Sequence, residues 1–445
     1  MSRATRRTPG RRTLTERPPT RGRPTFLAVL VVALTAAVLT LAGTTHHSIG
    51  SSAQTYKRVD LQQRTFSCGG GIGGATAVQG DIGARLPDPT SVAEQPRQFD
   101  VDHAAALESF AAQESRSKDW FAWSPCPEPR PSWWFVGAGA ATVTHDTVLT
   151  LSNPRAGQAD LDINVYGPKG PVAAPGLHGI TVPAGSTKVI DLAKVAPAVG
   201  DLAVNVVATR GLVAISAADR FAPGVIGKPV QEWLPGQVGP SRLITLAGLP
   251  PKPDQASLLV VNPRPTAAIV SVHAIGGTGT FAPKDNASIT VAPESVVSVP
   301  VRSVFDGGPM ALRLTSQQPV TATVRTLAGG DVAFAGAVRP IRDTTAIAVP
   351  HGDARLVLSS TGENGTVDVT AFDRSGKQVL HSAVAVAKET SVATALPAST
   401  AYLQLVSASP EVIAGLSVSD PAGIATAGVM PSIRSVLMPV VRPGW

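Results

Sequence analysis

The chain has 445 residues, with 38 lysines and arginines against 31 aspartates and glutamates, giving a formal net charge of +7. A surplus of this size over a whole chain is typical of nucleic-acid-binding proteins. Eight arginines and a single acid fall within residues 1–25, however, which leaves 30 basic and 30 acidic residues in the remainder. The balanced remainder argues against a nucleic-acid partner, and its length predicts several domains.

An uncharged apolar run follows the basic N-terminus and covers residues 26–43. As a helix of about 1.5 Å rise per residue it spans roughly 27 Å, close to the ~30 Å hydrocarbon core of a bilayer. Since basic residues stay cytoplasmic, we expect a cytoplasmic tail (1–25), a single-pass transmembrane signal anchor (26–43) and an extracytoplasmic remainder that begins with a polar stalk (44–60). The alternative is a long signal peptide, cut near residues 41–43, that releases a secreted protein.

Residues 61–140 are predicted to form a cap region. Cys68 and Cys126 are the only two cysteines of the chain. An even pair in an oxidising compartment predicts one disulfide, and the alternative is two separate thiols. Residues 101–118 place apolar side chains at helical spacing and predict the one helix of this region.

Four of the six tryptophans lie close together in the cap. One interpretation is an aromatic platform that contacts sugar rings, and the other is a small apolar core pinned by the disulfide. In a chain with only 4% aromatic residues we favour the core. The four residues are Trp120, Trp123, Trp133 and Trp134.

One pattern occurs three times in the rest of the chain. Counted from Asn153, Asn262 and Ser359, apolar residues recur at +8, +10 and +12, and a glycine stands at +17. Apolar residues at every second position predict a strand with one buried face, and the glycine predicts a turn with positive φ. The three turn glycines are Gly170, Gly279 and Gly376.

Each copy is about 100 residues long with about seven short strands, which favours a β-sandwich over a propeller blade of about 40–50 residues. The predicted fold is all-β, with three tandem immunoglobulin-like β-sandwich modules (141–237, 238–337 and 338–429) behind the transmembrane helix and the helix-containing cap. Residues 430–445 resemble the strand that precedes the second and third modules, but no module follows them. We expect a C-terminal strand that pairs back on the first module or on the cap.

Chemical motifs are few. Gly69, Gly71 and Gly74 formally match a dinucleotide-binding G-x-G-x-x-G, but no strong strand precedes them and no helix follows, so we interpret them as a flexible loop. The pair His145 and Asp146 resembles part of a catalytic triad, yet neighbouring residues of a strand point to opposite faces. The sequence therefore predicts no catalytic residues, no metal site and no cofactor.

Several short motifs resemble a known family. They are SPCP at 124–127, WF at 134–135, TVLTLSNP at 147–154 and the turn PAGS at 183–186. Together with the basic N-terminus and the apolar run, they make the chain similar to the uncharacterised actinobacterial family "domain of unknown function 5719". The resemblance implies an exported or membrane-anchored envelope protein without an assigned activity.

The predicted function is that of a non-catalytic, membrane-anchored protein of the cell envelope. Its β-sandwich modules would have a structural role or bind protein or polymer partners. One alternative is a carbohydrate-binding protein that uses the tryptophans between Trp120 and Trp134. The other is a hydrolase whose site is not recognisable in the sequence, which a polar pocket with convergent carboxylates would support.

Overall fold

A computed structural model describes residues 56–60, 63–92, 96–102, 109–141, 143–222, 227–237, 239–431 and 435–439. No helix in these ranges is long and apolar enough to cross a membrane. The predicted cytoplasmic tail and the transmembrane anchor (26–43) lie outside the described residues, as does most of the predicted stalk. The chain divides into two compact units, residues 1–59 with 437–445 and residues 60–436.

The structure describes two strands at the smaller unit. β1 (Tyr56–Asp60) and β33 (Ser435–Pro439) pair as a two-stranded sheet. The C-terminal strand therefore pairs with the end of the predicted stalk, where we had expected the first module or the cap. The sequence of β1, YKRVD, has too few apolar residues to show the alternation of a half-buried strand, so the apolar pattern did not identify it as a partner.

The larger unit begins with the cap, which here means strands β2 to β7. They form a two-stranded sheet, β2-β5, and a four-stranded sheet in the order β4-β3-β6-β7. The strands are β2 (Gln63–Cys68), β3 (Thr76–Asp81), β4 (Thr90–Ser91), β5 (Arg97–Asp102), β6 (Ser109–Arg116) and β7 (Phe121–Pro125).

The helix predicted for residues 101–118 is wrong over the residues that the structure describes, because 109–116 form strand β6. Both faces of this strand are buried. Phe110 and Ala112 join one hydrophobic core, whereas Ala111 joins the core around the disulfide. A strand buried on both faces lacks the apolar–polar alternation of a half-exposed strand, so its alanine-rich sequence resembled a helix.

The first module comprises β8 to β16 in one nine-stranded antiparallel sheet, with one turn of 3₁₀-helix (Pro175–Leu177) and one turn of α-helix, α1 (Leu192–Val195). It includes residues 132–140, which we had assigned to the cap. Its strands are β8 (Ser132–Ala141), β9 (His145–Ser152), β10 (Ala159–Gly167), β11 (Gly170–Val172), β12 (Ile180–Val182), β13 (Thr187–Asp191), β14 (Ala198–Arg210), β15 (Ala214–Phe221) and β16 (Val230–Trp233).

The second module comprises β17 to β24, and its 18-residue strand β23 pairs with β17 and β19 through one half and with β18 through the other. The strands are β17 (Ser241–Leu246), β18 (Gln255–Asn262), β19 (Ala268–Gly276), β20 (Gly279–Phe281), β21 (Ser288–Val291), β22 (Ser295–Pro300), β23 (Ala311–Ala328) and β24 (Asp331–Val338).

The third module comprises two four-stranded sheets, β25-β30-β27-β28 and β29-β26-β31-β32, whose apolar side chains share one core. The strands are β25 (Asp343–Ala348), β26 (Asp353–Ser360), β27 (Gly365–Phe372), β28 (Gln378–Val386), β29 (Ser391–Ala395), β30 (Tyr402–Ser407), β31 (Val412–Asp420) and β32 (Gly423–Gly428). The all-β, sandwich-like part of the predicted fold is thus confirmed.

The three sequence repeats occupy equivalent places in the modules. The alternating residues form β10, β19 and β27, and each strand enters a hairpin with β11, β20 or β28. The three turn glycines have positive φ angles, as the repeat predicts: 122° at Gly170, 143° at Gly279 and 86° at Gly376.

The asparagines that begin the first two repeats have a structural role. The side-chain amide of Asn153 donates to the carbonyls of Gly157 and Val182 at 2.8 and 3.0 Å, and its oxygen accepts from the backbone N–H of Arg155. Asn262 makes the equivalent bonds in the second module. Both residues are fully buried, so these contacts hold a turn and not a ligand.

The cap contacts all three modules, so the modules of the larger unit surround it. One hydrogen bond from each module illustrates this: Trp233 Nε1 to the Gly70 carbonyl, the Phe121 N–H to Asp331, and the Tyr402 hydroxyl to the Ala84 carbonyl. The glycine-rich segment lies at one of these contacts. A Cβ on Gly70 would stand 2.4 Å from Thr150 Oγ1, so glycine is required for the close approach and the segment is a packed contact, not a flexible loop.

Candidate binding site

The cap is held together by the predicted disulfide. Cys68 ends β2, Cys126 follows β7 directly, and the two are bonded with Cα atoms 4.9 Å apart. Both residues are buried. The bond therefore links the two sheets of the cap at the end of β7, the strand that contacts the modules.

The tryptophans do not form an exposed platform. Trp123, Trp133 and Trp134 are buried, with exposed fractions of 2%, 3% and 6%. Trp133 stacks on Phe135 in the core of the first module and donates its Nε1–H to the Val213 carbonyl at 2.8 Å. Only Trp120 is partly exposed. The burial of Trp123, Trp133 and Trp134 agrees with the apolar core that we favoured, and the alternative of an exposed aromatic platform for sugar rings loses its basis at these three residues.

A cavity of about 160 Å³ lies where the cap meets the three modules. It has room for about ten water-sized groups, since one water needs roughly 10–15 Å³ of such volume. Aromatic and aliphatic side chains from each part of the unit line it: Phe66 and Trp123 of the cap, Trp133 and Trp233 of the first module, Phe334 of the second and Ile347 of the third. Polar and apolar groups contribute about equally to the exposed wall, so the cavity offers both apolar contacts and hydrogen-bonding groups to a small molecule.

A second cavity of about 250 Å³ separates the cap from the third module. Its charged groups already have partners, since Glu114 lies 3.7 Å from Arg116 and Arg374 donates to the Pro87 carbonyl at 2.9 Å. It is the larger volume, but we consider the first cavity the stronger candidate because a charged group there lacks a partner.

The polar side of the first cavity begins with an ion pair. Arg64 donates from Nη2 to Glu128 Oε1 at 2.6 Å and from Nε to Oε2 at 3.1 Å, a bidentate geometry. Its Nη1 also donates to the Ser109 carbonyl, and its guanidinium lies 4.8 Å from the centre of the Phe66 ring. Glu128 is the only carboxylate among the residues that line the cavity, and Arg64 neutralises it.

Arg130 is the second cation of the wall. It lies in the segment between β7 and β8, where its backbone pairs with Val213. Its guanidinium lies 5.0 Å from the centre of the Trp133 ring, and its buried Nε–H has no hydrogen-bond partner. Burial lowers the pKa of Arg130, Glu128 opposes this shift, and the positive charges of Arg339 and Arg64 add to it. Arginine nevertheless stays charged in proteins, so the wall holds an unneutralised cation.

Behind the cavity, two acidic side chains bind the free edge of β7. Glu232 of β16 accepts the backbone N–H groups of Trp123 and Trp233 through Oε1, at 3.1 and 2.7 Å. Burial is the main reason that the pKa of Glu232 is raised well above its usual range, and the charges of Asp331 and Asp219 contribute. The second oxygen, Oε2, is buried without a partner.

Asp331, at the start of β24, makes the matching contact from the second module. Its Oδ2 accepts the N–H groups of Phe121 in β7 and Ile424 in β32, at 3.1 and 2.9 Å. One carboxyl group therefore joins the cap, the second module and the third module. Burial raises the pKa of Asp331 to about 7, although the hydrogen bonds from the backbone oppose the shift.

A third polar cluster surrounds His145, which does not pair with Asp146 as a triad would require. His145 Nε2 lies 3.1 Å from Asp219 Oδ2, and Nδ1 lies 3.7 Å from Asp201 Oδ1. Burial alone would lower the pKa of His145, but the two carboxylates outweigh it and raise the pKa. Asp201 also pairs with Arg325 of β23, so the cluster joins the first and second modules.

These acidic groups do not form a metal site. Among the described residues, no group of three or more His, Cys, Asp or Glu side chains is arranged to hold a metal ion. The acids instead contact backbone N–H groups or basic side chains, which is the chemistry of a structural junction.

The sequence analysis identified none of Arg130, Glu232 and Asp331. Arg130 stands three residues before the paired tryptophans 133 and 134, and a cation close to aromatic residues was the one available signal. Glu232 lies on a short strand directly after Gln231, and Asp331 follows a Gly-Gly turn, so both resemble solvated acids. Only the contacts between modules show their role.

The comparison with known proteins agrees with the resemblance seen in the sequence. The model of one family, described as a family of unknown function (DUF5719), matches residues 104–397. No curated protein matches the chain. Because the match covers well over half of the 445 residues, the chain belongs to the DUF5719 family.

Proposed function

We propose that this protein is a non-catalytic, membrane-anchored binding protein of the cell envelope, and that the cavity between the cap and the modules is its ligand site. Residues 26–43 are its signal anchor, and the larger unit lies outside the cytoplasm. The three sandwich-like modules are immunoglobulin-like in layout and act as the walls of the site. The observation that carries the proposal is the cavity itself, since every part of the unit contributes to its lining.

The disulfide supports the extracytoplasmic side. Structural disulfides persist in oxidising compartments and are rare in the cytosol. Cys68 and Cys126 are bonded and buried, so their role is structural. Arginines are frequent before residue 26 and absent directly after residue 43. This distribution favours a cytoplasmic N-terminus and an extracytoplasmic remainder, in agreement with the disulfide.

A binding role fits the chemistry of the cavity better than hydrolysis does. Glycoside hydrolysis needs two carboxyl groups facing one substrate. The cavity lining holds one, Glu128, which is engaged by Arg64. Two acids with raised pKa values, Glu232 and Asp331, are buried and bound to the backbone of β7. Aromatic walls and arginine side chains are groups that hold ligands in place.

The topology gives a first prediction. A C-terminally tagged chain should remain with the membrane fraction after a high-salt and alkaline wash, and protease added to intact spheroplasts should digest the tag. Replacing Leu30 and Leu34 with arginine should abolish membrane retention, because charges at the centre of an apolar helix cost about 2.5–3.5 kcal/mol each. A soluble tag protected from protease would contradict the proposed location.

The cavity gives a second prediction. Native mass spectrometry of protein isolated from its own host should show a bound small molecule, or a small-ligand screen should raise the melting temperature. Ala346 of β25 lines the cavity and is partly exposed, so Ala346→Trp should fill the space and remove the ligand. The control is Ala385→Trp, on an exposed position of β28. Ligand-free protein, together with a screen in which no compound binds, would overturn the binding function.

A further inference from the structure

We infer that the ligand of this cavity is a small amphiphilic anion, whose carboxylate or phosphate group pairs with Arg130 and whose apolar part lies against the tryptophans. This inference rests on the proposed binding function and names its ligand class. Arg130, Trp133 and Trp233 would contact the ligand, and Arg64 would not, because its guanidinium is already bonded to Glu128.

The wall of the cavity holds more positive than negative charge among its described residues. Arg130, Arg64 and Arg339 lie close enough to influence one another, and Glu128 is the one acid among the groups that act on Arg130. Glu128 forms its ion pair with Arg64, and no ion pair joins Arg130 to a described carboxylate. Arg130 is only partly buried, but a cation in a confined wall without an ion-pair partner favours an anion beside it. The site is therefore complementary to one further negative charge.

The geometry of Arg130 shows where that charge would bind. Its guanidinium carbon lies 5.0 Å from the centre of the Trp133 ring. The Nε–H is enclosed and has no acceptor, so the groups that an anion in the cavity could reach are the two terminal amino groups, Nη1 and Nη2. The residue retains some exposure and lines the cavity. A planar guanidinium that stacks on an aromatic face presents its N–H groups along its edge, which suits a carboxylate or a phosphate.

The rest of the cavity determines the other end of the ligand. Trp233, Phe334 and Ile347 give the lining an aromatic and aliphatic part. Polar side chains such as Gln113, Ser216 and Thr426 line the cavity as well. The volume of about 160 Å³ corresponds to roughly ten water-sized groups. A single anionic group on a chain of about eight carbons meets both conditions, whereas a bare inorganic anion would leave the apolar wall unused.

Three probes of one chain length test the inference on the full-length protein: octanoate, octyl phosphate and 1-octanol, with chloride and inorganic phosphate as simple anions. Binding is followed by tryptophan fluorescence, since Trp123, Trp133 and Trp233 line the cavity, and by calorimetry. We expect either octanoate or octyl phosphate to bind at least tenfold more tightly than octanol, and the better of the two identifies the headgroup.

Arg130→Gln should weaken binding of the better anion by about 10- to 100-fold while leaving octanol unchanged, because a hydrogen bond to a charged group is lost. Arg130→Lys keeps the charge but loses the planar pair of N–H donors, so its affinity for the anion should lie between those of the wild type and Arg130→Gln. If Arg130→Gln fails to fold, Arg130→Lys still tests the inference. Arg210→Gln, on an exposed position of β14, is the matched control and should bind as the wild type does.

The remaining outcomes separate the two proposals. Equal binding of octanol and the anions, or an Arg130→Gln variant with unchanged anion affinity, would overturn the anionic class and leave the binding function standing. If chloride or inorganic phosphate binds as strongly as the alkyl anions do, the inference that the ligand needs an apolar chain is overturned. If no probe binds and protein from the host carries no ligand, the binding function itself fails.

Discussion

Replacing Asp331 with alanine is expected to lower the free energy of unfolding of the larger unit by about 2–5 kcal/mol. The substitution removes the acceptor of two buried backbone N–H groups, those of Phe121 and Ile424. Each buried donor left without a partner costs about 1–3 kcal/mol. The side chain is fully buried, so water cannot replace it without opening the contact between the cap and the second and third modules.

The measurement is urea unfolding followed by tryptophan fluorescence at pH 6, because Trp123 and Trp233 lie beside this junction. Asp353→Ala is the matched control, since Asp353 is exposed at the start of β26, and its effect should stay within about 0.5 kcal/mol. An equal effect of the two substitutions would show that the carboxyl group of Asp331 does not hold the junction.

The same residue predicts a pH dependence. Burial raises the pKa of Asp331 to about 7, so the folded protein binds this proton more tightly than the unfolded chain, whose carboxyl group titrates near 3.9. Its contribution to stability is fully present below the unfolded pKa and is lost as pH rises toward 7, with a slope of up to about 1.4 kcal/mol per pH unit. Asp331→Asn, which keeps a neutral acceptor, should remove that part of the slope. Parallel stability curves for the two proteins between pH 5 and pH 8 would contradict this account.

The repeat made the modules predictable from sequence. A strand with one buried face places an apolar residue at every second position, and β10, β19 and β27 follow that rule. The turn glycines were predictable for a similar reason, because a positive φ excludes most side chains. Both signals depend only on residues that are close in the sequence, so they can be recognised without knowing how the modules pack.

The junction was not predictable, because its signals depend on contacts between distant parts of the chain. Strand β6 is buried on both faces and lost the alternation that would have identified it. Glu232 and Asp331 resemble surface acids until the N–H groups that they accept are known, and those lie 109 and 210 residues away. Arg130 is recognisable as a binding group only because Glu128 is shown to pair with Arg64.

The architecture links the disulfide to the site. Trp123 of β7 lines the cavity, and the N–H groups of Phe121 and Trp123 bind the two buried acids. Cys126, immediately after β7, ties this strand to the end of β2. A change in the cap should therefore alter the cavity, and it should also disturb the core of the third module, because Phe110, Phe121 and Trp123 belong to the same apolar cluster. The clusters of the first and second modules contain no residue of strands β2 to β7 among their buried members.

Removing the disulfide should produce the second large effect. Replacing both Cys68 and Cys126 with serine frees a loop of 58 residues, which corresponds to about 4 kcal/mol in the chain-entropy account. We expect a lower melting temperature, faster proteolysis within residues 63–125, and weaker ligand binding in the cavity. The cores of the first and second modules should persist, which calorimetry would show as a retained high-temperature transition.

Reduction of the wild-type protein under mild denaturant should reproduce the loss, whereas the double serine variant should not respond to reductant at all. That comparison separates the covalent bond from the effect of the substitutions on packing. If reduction leaves the melting temperature and the protease pattern unchanged, the bond does not hold the cap. Thiol labelling of protein taken directly from its host extends the test to the compartment, because an exported chain should arrive with Cys68 and Cys126 already oxidised, and free thiols there would remove the main structural support for an extracytoplasmic location.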